Sequence, residues 1–183
     1  PVFAGNHRDA WVYGSIDPHS GTIVLLETAR ALAAVVKTGW RPRRTIVLCS
    51  WSGEECGLIG STAYAETHGD VLANAVGYVN VDVAVSGNAS VRADGTQSLD
   101  RLFHDAARDA HVLRGGAKVS LGDLWEPADD DEDAKAAIEG VSKLGTLGSG
   151  SDYTAMIDVL GIPSIDFSFL GVVFSMIPRP PRS

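Results

Sequence analysis

The run Thr45-Ile46-Val47-Leu48-Cys49-Ser50 is the strongest constraint on what this chain can fold into. It is too short for a stable helix, and its apolar residues do not alternate with polar ones, so it offers water no face. Such a run reads as a strand of a sheet covered on both sides. Sheets of that kind are mainly parallel and need helices as crossovers. The rest of the sequence supplies both parts. Val2-Phe3-Ala4, Val76 to Val81 and Ser164 to Phe169 read as further strands, and helices are expected over Thr22–Lys37, about Ser61–Thr67 and Asp100–His111. On the first helix Glu27, Arg30, Lys37 and Thr38 share one narrow arc, and the apolar remainder is expected to lie against the sheet. Gly39 and Pro42 end it. The expected fold class is α/β: a three-layer sandwich with a mixed, mainly parallel sheet flanked by helices.

Composition narrows the function. With 183 residues and 45% hydrophobic content the chain can bury a core, and a formal charge of −8 gives no basic face for nucleic acid. Two cysteines, Cys49 and Cys56, exclude a disulfide scaffold and read as reduced thiols. No apolar run in the sequence reads as a membrane span, so no membrane contact is expected. The stretch Gly115–Gly145, with its acidic run Asp129-Asp130-Asp131-Glu132-Asp133, reads as a solvated surface loop. The chain lacks an initiating Met, and the Pro- and Arg-rich end from Pro178 to Ser183 is expected to be disordered.

Polar residues able to bind a metal gather just after the apolar strands. His7, Asp9 and Asp17 follow the first, Glu54 and Glu55 the second, and Asp82 the third. Neighbouring parallel strands would bring them to one edge of one sheet, where α/β proteins place their sites. One imidazole among several carboxylates is a donor mixture that zinc accepts. Taken singly, each residue also has a structural reading: a hydrogen-bonded His, an Asp-Pro turn, an acidic pair at a helix start, an Asp closing a strand.

The segment from Arg41 to Trp51 and on through Glu54-Glu55-Cys56-Gly57-Leu58-Ile59-Gly60-Ser61 resembles glutamate carboxypeptidase II-like proteins. These belong to the co-catalytic dizinc aminopeptidase and carboxypeptidase family, whose fold is of the zinc exopeptidase type. His7-Arg8-Asp9, Gly14-Ser15-Ile16-Asp17-Pro18, Asn80-Val81-Asp82 and Leu147-Gly148-Ser149-Gly150-Ser151-Asp152 match the same motifs in order. The resemblance implies a zinc metallopeptidase, an exopeptidase acting on peptides through a metal-activated water. It implies His7 and Asp82 as ligands of one zinc, Asp17 as the bridge to a second, and Glu55 as a ligand of that second ion. Glu54 would be the general base, Asp9 would orient His7, and Ser149, Gly150 and Ser151 would contact substrate.

The family's last ligand is a His shortly beyond the Ser164–Phe169 strand, and this sequence has no His after His111. The resemblance therefore implies one complete zinc set and one incomplete set, with impaired turnover in this chain. It covers residues 1–169, read as part of a peptidase catalytic domain, with 170–183 as a tail unlike the family. The stretch Ser164–Ser168 has no Arg to receive a terminal glutamate, and Asp166 stands where a cation is expected. By the same resemblance the source is the secretory pathway or a membrane-anchored ectodomain, with homodimerisation expected only of a full-length form. The alternative reading is a non-catalytic, transferrin-receptor-like binding domain.

Overall fold

The computed structural model describes residues 1–87, 90–125 and 144–170. Its first strand, β1 (Val2–His7), leads through a loop into α1 (His19–Lys37), then β2 (Ile46–Trp51), α2 (Ile59–Thr67), the short α3 (Gly69–Leu72) and β3 (Gly77–Asn80). After it come β4 (Ser90–Gly95), α4 (Asp100–Asp109), the hairpin β5 (His111–Arg114) and β6 (Ala117–Ser120), a single turn α5 (Leu121–Leu124), a π-helical turn over Ala155–Val159, and β7 (Ser164–Leu170). The main sheet has the order β2-β1-β3-β7-β4, parallel except for β4, which runs against β7. The sheet is mixed and mainly parallel, as the sequence predicts.

Register fixes the two faces. Cys49, Gly5, Asn80 and Asp166 lie opposite one another in one row, with Val47, Phe3, Tyr78 and Ser164 in the row two residues earlier. Because side chains alternate along strands, all eight share a face. On it α2 and the Ala155–Val159 turn help bury Phe3, Trp51, Tyr78 and Met156. The opposite face carries Val79 and Ile165, covered by Phe103 of α4 together with Trp125, whose rings meet edge-on at 4.8 Å.

Several expectations change. The apolar run of β2 lies at the sheet edge, with Ile46 and Leu48 about one-third exposed, so it is covered less fully than its composition suggests. β4 goes unread in the sequence because Arg92 and Asp94 interrupt its apolar residues. Its alternation, with Val91 and Ala93 buried, is the pattern of an antiparallel edge strand. Asp100–His111 is helical only to Asp109, and His111 opens the β5–β6 hairpin, so part of Gly115–Gly145 is ordered structure rather than open loop. The acidic run and residues 171–183 lie outside the described residues.

α1 begins three residues before the expected start, with Thr22 N–H bonding back to Pro18 O at 3.0 Å. By length and composition alone it could cross a bilayer. In this fold its first turn is packed into the sheet instead. Gly21 lies against the carbonyls of Val81 and Asp82 and the side chain of Asn6, while Ile23 and Leu26 remain mostly exposed.

Candidate metal centre

β2 and β3 pair on opposite sides of β1, so the topology switches direction at β1, and the crevice beyond its carboxyl end is where α/β sheets bind ligands. His7 ends β1 and Asp82 lies two residues past β3, so both arrive there. His7 Nε2 is 2.9 Å from Asp82 Oδ1 and 3.2 Å from Asp17 Oδ1. The donor atoms of His7, Asp17 and Asp82 all lie within 4.8 Å of one another.

The ring's other nitrogen decides what this cluster requires. His7 Nδ1 is 3.0 Å from the Asp9 carbonyl oxygen, which can only accept, so Nδ1 carries a proton. In a neutral ring Nε2 would then present a lone pair to two carboxylate oxygens, which is repulsive. A positive centre must lie between them, either a second proton or a metal ion. With no metal it is the proton: burial opposes the charged ring, but the Asp82 hydrogen bond and the charges of Asp82 and Glu54 outweigh it and carry the pKa to about 9. A zinc ion would replace that proton with the donor set it prefers, one imidazole nitrogen and two carboxylate oxygens. The residues fit the ion.

The remaining predicted residues surround this group. Glu54 Oε2 is 3.9 Å from His7 Nε2, beside the cluster but outside it. Burial pushes its carboxyl up to about 7; His7 opposes that rise, while Asp82, Asp152 and Glu55 add to it. Glu55 follows on the same turn and is not among the clustered donors. The structure changes the reading of Asp9. Its backbone carbonyl, not its carboxylate, makes the hydrogen bond to His7; the nearer carboxylate oxygen is 3.7 Å from Nδ1. The carboxylate instead accepts the backbone N–H groups of Glu54 and Glu55, each at 3.2 Å, so Asp9 holds both the ring and the Glu54-Glu55 turn. Ser149 and Gly150 are exposed, whereas Ser151 is buried and faces Asn80.

Two kinds of residue escaped the sequence reading. Asn6, fully buried, donates to Pro18 O, Val81 O and Asp82 O at 3.4, 2.9 and 3.2 Å, and accepts from the Thr22 hydroxyl at 2.6 Å. One amide thus ties together the segments bearing His7, Asp17 and Asp82. Asp152 is 1% exposed, and neither of its oxygens makes a well-formed hydrogen bond among the described residues. Burial raises its pKa to about 6 although the nearby Ser61 hydroxyl favours the charged form; that hydroxyl's own bond goes to Leu58 O at 3.3 Å. An Asn inside an apolar strand is a usable sequence signal, since a buried amide must find partners.

A family model described as peptidase family M28 matches residues 1–174, nearly the whole chain. The chain belongs to peptidase family M28. Among curated M28-like relatives it is 43% identical over 170 residues to aminopeptidase NAALADL1 of Mus musculus, covering 92% of this chain and 22% of that protein. It is 41% identical over 176 residues to a glutamate carboxypeptidase 2 homolog of Caenorhabditis briggsae, with the same two coverages. This M28 chain therefore spans about a fifth of the length of these relatives. Among solved structures, BSAP, a zinc aminopeptidase from Bacillus subtilis, superposes with a TM-score of 0.61 at 21% identity, over 98% of this chain and 38% of that one, which supports the fold.

Proposed function

We propose that this M28 chain forms part of the catalytic domain of a zinc-dependent exopeptidase that hydrolyses a terminal peptide bond. The observation that carries the reading is His7 Nε2, aimed at two carboxylate oxygens while its partner nitrogen is committed to Asp9 O. His7, Asp17 and Asp82 would hold one zinc, and Asp17 with Glu55 a second. When bound, zinc acidifies water and polarises a carbonyl.

The chain's own groups supply the rest. Glu54, beside the ligands but not among them, takes the proton from the attacking water and returns it to the leaving amine. Its carboxyl lies close to neutral in the metal-free site, which suits a group that must both accept and give a proton. Asp9 fixes the Glu54 backbone through its N–H, so the base does not swing away. The exposed Ser149-Gly150 edge of the loop faces the peptide. β7 carries no Arg, and the Asp166 carboxylate accepts from Asn80 at 2.8 Å, which favours a neutral or apolar terminal residue over glutamate.

In the zinc-loaded protein Glu54→Gln should leave metal content unchanged and lower turnover by roughly 100-fold or more. Loss of zinc together with activity, or full retention of activity, would remove Glu54 from the role of base.

A further inference from the structure

Beneath the candidate centre runs a chain of polar side chains, buried from Trp51 through Ser151, whose direction is fixed at the tryptophan end. Trp51 Nε1–H can only donate, and it donates to Tyr78 OH at 2.9 Å. The tyrosine's single proton therefore goes to Asn80 Oδ1, also at 2.9 Å. That orients the Asn80 amide and leaves its Nδ2 with two protons to place. One goes to Ser151 Oγ at 3.0 Å and the other to Asp166 Oδ1 at 2.8 Å. Asn80 and Tyr78 have no solvent exposure and Ser151 has 4%. The seam crosses β1 at Gly5, where a Cβ would fall well inside contact distance of both Tyr78 OH and Trp51 Nε1.

Each end of the seam leads to a part of the site. Asn80 is the last residue of β3, two positions before Asp82, and its amide also reaches the Asp166 carboxylate on β7. Ser151 closes the loop whose outer residues, Ser149 and Gly150, are exposed. We propose that Asn80 is a positioning residue: its buried amide ties the Ser149–Ser151 loop to the strand end bearing Asp82. It thereby sets where a peptide lies relative to the metal group. The loop's contact with peptide rests on the exopeptidase reading above; the tie itself does not. A carboxylate at position 80 could still accept from Tyr78 and Ser151 but could not donate to Asp166. Exchanging the two residues would restore an amide–carboxylate pair in reverse.

The test is amide hydrogen exchange on the 183-residue chain as Asn80→Asp, Asp166→Asn and the double exchange. Asn80→Asp is expected to speed exchange about tenfold at Ser151–Tyr153 while Phe3 and Val47 in the sheet keep their protection. The double variant is expected to recover to within about threefold of the parent. Should Asn80→Asp also lose sheet protection, Ser151→Ala, which removes only the acceptor on the loop, is expected to give the same local tenfold rise. On zinc-loaded protein the single variant should raise KM about tenfold with kcat changed less than threefold, a split that general loosening of the fold does not produce. Unchanged loop exchange, or no recovery in the double variant with the sheet intact, overturns the tie. A KM unchanged despite a loosened loop overturns the positioning role. A parent chain that binds no zinc defeats the exopeptidase reading instead, and the exchange arm still decides the tie.

Discussion

At the scale of the residue, the centre is a set of charges that the fold keeps close at a cost. Asp152 shows the cost most directly, as a buried carboxylate without a well-formed partner. Its folded pKa of about 6 exceeds the ordinary value of 3.8, so between those pH values the folded chain holds a proton that the unfolded chain has released. Stability from this group is therefore intact below pH 3.8, declines as pH rises towards 6, and stays reduced above it. Asp152→Asn, having no charge to bury, should stabilise the metal-free chain by on the order of 2 kcal/mol at pH 8 and hardly at all near pH 4. Chemical denaturation of both proteins across that range measures the difference. A gap that does not change with pH would rule out the charge as its source. His7, Asp17 and Asp82 were legible in the sequence because each follows an apolar stretch that could only be a strand or its crossover. Asn6 and Asn80 were not, because their importance lies in partners up to 86 residues away along the chain, and Asp152 was not, because only the fold shows it to be buried.

At the scale of the element, the site depends on how closely α1 approaches the sheet. The first turn of α1 passes over Val81 and Asp82 with room for no side chain at Gly21, and the obstructing atoms are backbone carbonyls that cannot step aside. Gly21→Ala should cost about 3 kcal/mol or more and weaken metal binding with it, because the displaced strand end bears Asp82. Gly69→Ala, where nothing lies within 4 Å of the added carbon, is the control and should stay within about 0.5 kcal/mol. Thermal unfolding with and without zinc distinguishes them; equal losses would mean that the close approach is unimportant. The expected helix start at Thr22 missed this contact. Apolar periodicity marks the body of a helix, whereas the turn at His19–Gly21 is set by Pro18, Asn6 and the strand end, which periodicity does not record.

At the scale of the whole molecule, the order β2-β1-β3-β7-β4 is what gathers the residues. Pairing β2 and β3 on either side of β1 puts the loops after three strands above one crevice, and β7 brings Asp166 and the seam alongside. The strand runs and crossover helices made that arrangement readable as a fold class, while strand order and the β4 edge needed the structure. Apolar side chains stay exposed along β2 and the outer side of α1, and in the curated relatives the matching segment sits within a protein about five times longer. The centre itself lies within one contiguous part of the sheet, so its metal chemistry is testable on the 183 residues alone. X-ray absorption at the zinc edge, on the chain titrated with zinc, is the most direct test. One tightly held ion is expected, with a shell of one imidazole nitrogen and carboxylate oxygens, abolished by His7→Ala. Zinc bound through sulfur, or bound equally well after His7→Ala, would contradict that expectation.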